Sequence, residues 1–184
     1  VQGEIMSIQT DVATPPETIL DNPLGALGKE GKYLTFYVAN EEYGLEILKV
    51  REIIGLMDIT AVPKTPDFVR GVINLRGKVI PVVELRSKFN IESTEDTDQT
   101  CIIVVDVAFE DSTLQIGVLV DSVSEVLDIT SADIEDTPSF GTDLKTDFIR
   151  GMAKAKGSVK ILLNIEKVLT AEEMTAVAGV DAKS

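Results

Sequence analysis

The 184-residue chain has no histidine, no tryptophan and a single cysteine, and only 5% of its residues are aromatic. Without histidine there is no Ser–His or Cys–His nucleophile, no imidazole metal ligand and no phosphohistidine site. Without tryptophan the usual platform for stacking sugars is missing. Cys101 leaves no disulfide to form within the chain, which fits a reducing cytoplasm. In the apolar run CIIVVDVAF a lone cysteine ordinarily serves as a small buried hydrophobe. No apolar run approaches the ~20 residues that span a bilayer, and no basic-then-apolar leader is visible. Neither GxxxxGK[ST] nor GxGxxG occurs, so P-loop and dinucleotide fingerprints are both absent.

Basic residues are scarce where acids are dense. Residues 89–147 carry fifteen Asp/Glu against the single Lys145, whereas residues 29–88 carry ten Lys/Arg against eight acids; the whole chain is at −14. A nucleic-acid binder needs a positive stripe to displace counterions, and most of this chain repels phosphate, which disfavours a pair of RNA-binding barrels. The acidic segment 92–99 (ESTEDTDQ) resembles a calcium loop in composition only. It lacks the central glycine and closing glutamate of an EF-hand and reads as a solvated loop. A carboxylate-dependent hydrolase stays open in principle, but no spacing singles out two of the 31 acids.

What the chain does contain is a sentence written twice. Phe68 to Phe89 reads FVRGVINLRGKVIPVVELRSKF, and 80 positions later Phe148 to Leu169 reads FIRGMAKAKGSVKILLNIEKVL. Phe, Arg, Gly, Gly and Val recur at 68/148, 70/150, 71/151, 77/157 and 79/159 without a gap. Upstream, YGLEILKVREII (43–54) matches IGVLVDSVSEVL (116–127), sharing Gly44/Gly117, Val50/Val123 and Glu52/Glu125, and both run on to DIT and Thr-Pro. Two copies of a β-rich unit, each too small to bury much surface alone, are expected to pack together.

The coarse pattern is all-β with short helices. YLTFYV alternates, putting Leu34, Phe36 and Val38 on one face; Leu114, Ile116, Val118 and Val120 share another. VINLRGKVIPVV predicts a hairpin turning at Arg76-Gly77, with Pro81 demanding an edge strand or a bulge. ELRSKF predicts a short helix, and Thr170 with Glu173 has capping-box spacing for a terminal helix to about Val177. Short strands with glycine turns point to two five-stranded barrels. Residues 1–32 read as a flexible arm in which only Ile19, Leu20, Leu24 and Leu27 could dock; residues 1–5 read as a cloning remnant ahead of a native start at Met6. Residues 33–178 form the duplicated domain and 179–184 a tail.

Two side chains stay ambiguous on pattern alone. Glu52 is either one outward acid on an alternating strand or a polar anchor. Arg76 is either an ordinary hairpin-tip charge or a planar fork for gripping a partner, and its counterpart Lys156 cannot replace that fork. Leu75 beside it either dips into the core or is offered to a partner.

The stretches EEYGLEILKVREII, TPDFVRGVINLRGKVIPVVELRSKF and GVLVDSVSEVL resemble the CheW family of bacterial chemotaxis coupling proteins, over about Tyr33 to Met174. The resemblance implies two SH3-like five-stranded barrels and a non-enzymatic cytoplasmic adaptor, without a cofactor. Its partners would be the tips of methyl-accepting receptors and the regulatory domain of the histidine kinase CheA. It implies a receptor-facing groove at Val50, Glu52, Gly71, Asn74, Arg76 and Val126, and a second kinase-facing surface at Phe140. The CheA regulatory domain shares this fold, so a kinase fragment is the nearest rival.

Overall fold

The computed structural model describes residues 28–135 and 147–182. Phe140, and the expected arm apart from residues 28–32, lie outside the described residues. Strands β1 (Gly31–Val38) and β2 (Glu41–Glu46) form a hairpin, and a 3₁₀ turn over Ile47–Lys49 leads into β3 (Val50–Gly55). Strands β4 (Val69–Leu75) and β5 (Lys78–Glu84) follow, then the one-turn helix α1 (Leu85–Lys88). The second copy runs through β6 (Cys101–Phe109), β7 (Ser112–Val120), β8 (Ser122–Ile129) and the two-residue β9 (Ile134–Glu135). It ends with β10 (Ile149–Ala155), β11 (Ser158–Leu163), α2 (Ile165–Val168) and α3 (Ala171–Ala182).

The tight turns follow the sequence. Ala39-Asn40 adopts φ of 55° and 77°, Arg76-Gly77 54° and 86°, and Lys156-Gly157 52° and 82°. Two successive positive φ values match the right-handed twist of a hairpin, and glycine holds the second place without strain in two of the three.

The strands assemble into two sheets, ordered β8-β1-β2-β11-β10-β9 and β3-β6-β7-β5-β4. The five-strand expectation holds for the second; the first gains β9, which pairs only with Met152 and Ala153. Neither sheet is one repeat. The hairpin β1–β2 of the first copy joins β8 to β11 of the second, while β6–β7 of the second joins β3 to β5 of the first. Parallel junctions close the exchange, β11 against β2 and β5 against β7. Each sheet therefore needs strands from both copies, and neither copy is a folding unit by itself.

Burial follows the same logic. A small cluster lines each sheet's inner face: Tyr33, Leu127, Ile129, Ile134, Ala153 and Leu162 in one, and Ile73, Ile80, Val82, Ile102, Val104 and Leu119 in the other. A larger third cluster binds the sheets together, with Leu34, Phe36 and Val38 meeting Ile103, Val105, Ile116 and Val118, sealed by Met174 and Val177 of α3. The alternation in β1 is correct, yet its other face is buried too. Thr35, fully inaccessible, donates to the Glu125 carbonyl at 2.9 Å and accepts from the Glu125 N–H at 3.2 Å. Those two bonds settle a hydroxyl that would otherwise be costly inside.

Three local expectations shift. Strand β5 is internal, flanked by β4 and β7; its parallel ladder begins at Val82, one residue past the N–H that Pro81 lacks, and the bulge falls in β4 between Val69 and Gly71. Helix α3 runs to Ala182, past the expected stop near Val177 and into the expected tail. The Thr170–Glu173 capping box does form, at 2.8 and 3.1 Å. Gly179 costs only about 1 kcal/mol relative to alanine, too little to end the helix there. The acidic loop is exposed but pinned: Arg70 bonds Asp96 at 2.6 Å, and Arg86 bonds the Glu92 carbonyl at 2.8 Å.

Candidate partner-binding site

Sequence places Glu52 on β3 and Arg76 at the β4–β5 turn, 24 residues away, and the fold joins them. Both guanidinium nitrogens of Arg76 reach the two Glu52 carboxylate oxygens, closing a fork. The Arg76 side chain stays 70% exposed, so the pair lies on the surface. The hydrogen bond from Arg76 holds the Glu52 carboxyl below the usual carboxylate range. The turn itself is braced by Asn74, whose Oδ1 accepts the Gly77 N–H at 2.8 Å. Leu75 resolves its ambiguity on the inward side, packed against the inner cluster of the five-stranded sheet.

Gly71 is a matter of space. Its φ is +149°, and a Cβ placed there would stand 2.2 Å from the Thr60 carbonyl oxygen. Thr60 bridges Val72 with bonds of 2.8 and 2.9 Å, so the chain after β3 is laid directly across β4. The close approach belongs to the protein's own backbone. Val50, at the foot of β3, is half-buried against the shared core.

Val126 lies apart from these five, in the other sheet, opposite Leu34 on β1, and is 49% exposed. The repeat explains its company. Glu125 beside it corresponds to Glu52, and its carboxylate bonds Lys156 Nζ at 2.7 Å, as Glu52 bonds Arg76. Ile53, 44% exposed, is the counterpart of Val126. Val123, counterpart of Val50, rests on the same shared core. Each sheet thus presents one valine against the common core, one ion pair, and one exposed aliphatic residue. Ile53 and the Glu125–Lys156 pair, which match the candidate residues by the repeat, were not singled out by sequence reasoning. Superposing the two repeats on Glu52/Glu125 and Arg76/Lys156 would have found them.

The recurring arginine has a different task. Arg70 bonds Glu84 at 2.7 Å and Asp96 at 2.6 Å; Arg150 bonds the Tyr33 hydroxyl at 3.1 Å and the Gly28 carbonyl at 2.7 Å. Both are struts. Cys101 is half-buried, and burial pushes its thiol up, away from the reactive thiolate. The carboxyls of Glu52, Asp121, Glu166 and Glu173 are all held down, the opposite of what a general acid needs. No group of three or more metal-ligating side chains occurs among the described residues. The geometry suits docking: an exposed charged fork, with the exposed aliphatic Ile53 next to Glu52 on β3.

Comparison with known proteins agrees with that architecture. The family model described as CheW-like domain matches residues 32–173. A chemotaxis protein CheW from Klebsiella aerogenes is 40% identical over 153 residues, covering 83% of this chain and 89% of that protein. Another from Thermotoga maritima is 34% identical over 155 residues, covering 83% and 95%. A crystal structure of the scaffolding protein TtCheW from Thermoanaerobacter tengcongensis superposes with a TM-score of 0.69 at 35% identity, covering 79% of this chain and 97% of that one. By the matched family model and by these relatives, the chain belongs to the CheW family.

Proposed function

We propose that this protein is a chemotaxis adaptor that holds the cytoplasmic tips of methyl-accepting receptors against the regulatory domain of the histidine kinase CheA. Its work is docking, with no bond made or broken. Family membership supports the general role, and the exposed Glu52–Arg76 fork is the observation that carries the site. Arginine offers five N–H donors in a rigid plane, so bonding one carboxylate leaves donors for a partner's carbonyl or carboxylate.

In this reading a receptor helix lies along the boundary between the sheets. Val50 and Val126 give it apolar contact, and Glu52 with Arg76 fixes its register. Asn74 holds the turn that presents Arg76, and Gly71 keeps β4 close enough to Thr60 for that turn to point correctly. A few central anchors ordinarily dominate such an interface. Phe140 is proposed as a second kinase contact on sequence grounds. The protein would act at receptor arrays; no helix among the described residues is long and apolar enough to cross a membrane.

The test is co-sedimentation of the purified protein with a receptor cytoplasmic fragment and with the CheA regulatory domain. Wild type should bind both. Arg76→Ala should weaken receptor binding at least about tenfold while melting at nearly the wild-type temperature. Unchanged receptor binding, or a large loss of stability, would overturn the assignment of Arg76.

A further inference from the structure

A large cavity among the described residues plays no part in that site. It is an open groove of about 650 Å³ lined by Tyr43, Phe89, Ile91, Phe148, Ile149 and Ile161. Its floor is a ladder of stacked rings, with Phe36–Tyr43, Tyr43–Phe89 and Phe89–Phe148 centroids at 6.0, 5.4 and 5.3 Å. Lys88 and Lys167 stand on its rim against the single acid Asp147. Phe36 and Tyr43 are buried, but Phe89 and Phe148 at the open end of the row are only partly so, and an aromatic surface left in water calls for a cover.

We propose that the cover is the protein's own N-terminal segment, residues 19–27. Three observations converge on it. First, the described chain starts beside the groove: the Gly28 carbonyl accepts from Arg150 Nη2 at 2.7 Å, and the residue next to Arg150 is Ile149 of the groove wall. At ~3.3 Å per residue, four residues span about 13 Å, so Leu24 and Leu27 can enter the groove. Second, the segment ILDNPLGAL holds four aliphatic side chains and is otherwise short and polar. Third, residues 1–28 contain four acids and no base, and Lys167 stands on the rim to meet them, Lys88 being already paired with Glu173. The tether makes capture intramolecular, so modest contacts suffice. A partner seeking the ring ladder would have to displace this segment first. The proposal stands apart from the receptor and kinase reading.

Disulfide trapping in the full-length chain tests it. In a Cys101→Ser background, Asn22→Cys is paired with Asp147→Cys at the groove mouth, and intramolecular thiol loss under mild oxidation is followed by mass spectrometry. A second protein adds Leu24→Asp and Leu27→Asp, which keep the tether and remove the anchors. Trapping should be about tenfold faster with the leucines intact and independent of protein concentration. Equal rates would mean that tethering alone brings the thiols together, and would overturn the proposal. Concentration-dependent cross-links between molecules would assign the groove to a second copy and overturn it equally. Receptor and kinase binding enter neither readout, so failure here leaves the adaptor role untouched.

Discussion

The two repeats share a backbone plan and differ in what they place on it. At the β4–β5 tip, arginine grips both oxygens of Glu52; at the β10–β11 tip, lysine makes one contact to Glu125. Inside the sheets the contrast is sharper. Ile80 fills the first copy's core, while the equivalent Lys160 is buried in the second and ends on Glu42 Oε1 at 3.1 Å, the Ala155 carbonyl at 2.8 Å and Ser158 Oγ at 2.6 Å. Two hydrogen bonds and one ion pair surround the ammonium, which is what makes the charge tolerable there. Duplication preserved the turns and the packing spaces, and the chemistry diverged at the same numbered places.

The most disruptive way to break the comparison is at the paired glycines. Gly71→Ala forces a methyl into the Thr60 carbonyl and should cost about 3 kcal/mol or more, read from the midpoint of urea unfolding. Gly151→Ala meets Ile134 Cγ2 at 3.1 Å, the Glu135 carbonyl at 3.4 Å and Lys29 Cδ at 3.9 Å, so about 1 kcal/mol is expected. Equal costs would mean that the two bulges are equally tight.

Comparable in size is the buried lysine. Lys160→Ala strands the Glu42 carboxylate and should destabilise by about 3–5 kcal/mol, whereas Glu42→Leu with Lys160→Met, removing both charges, should recover most of that. If the double variant is as unstable as the single one, the site depends on shape rather than on charge pairing.

Acid should loosen both halves to a moderate degree. At Asp121 burial opposes ionisation, but bonds from Arg86 and from the Ala39 N–H outweigh it and hold the carboxyl below its ordinary 3.8. At Glu166 and Glu173 burial also opposes ionisation, and bonds from Lys49 and Lys88, with backbone N–H groups, again prevail below the ordinary 4.5. A depressed carboxyl contributes stability that is whole above its unfolded value and fades as pH falls through the folded one. Thermal melts should therefore be flat from neutrality to about pH 5 and fall below about pH 4. Asp121→Asn should flatten part of that fall.

The smallest effect on stability should come from the hairpin tips. Arg76→Ala and Lys156→Ala should both melt close to wild type, since exposed pairs contribute little. Only the first should impair receptor binding, and Arg76→Lys should restore it in part, because lysine lacks the fork. Matching binding losses from the two alanine variants would make the tips functionally equivalent.

Much of this was legible in the residues. Alternation in YLTFYV, the Arg76-Gly77 turn and the Thr170 capping box are local signals, and each forms as read. Glu52 and Arg76 could be named because their motifs are specific, but their union could not, as nothing local relates a strand residue to a turn 24 positions on. The fate of Leu75, inward, and of Gly71, held by Thr60, also depended on neighbours distant in sequence. Of the residues named for the receptor and kinase surfaces, Phe140 alone lies outside the described part of the structure.

Sequence by itself determined the strands, the turns, the absence of histidine chemistry and the fact of duplication, because each is written in nearby residues or in composition. Only the tertiary structure decided that the copies trade hairpins and that the Glu52 and Glu125 pairs recur on separate sheets. The reason is physical: strand pairing and ion pairing are contacts across space, and a periodic pattern names a face without naming what will cover it.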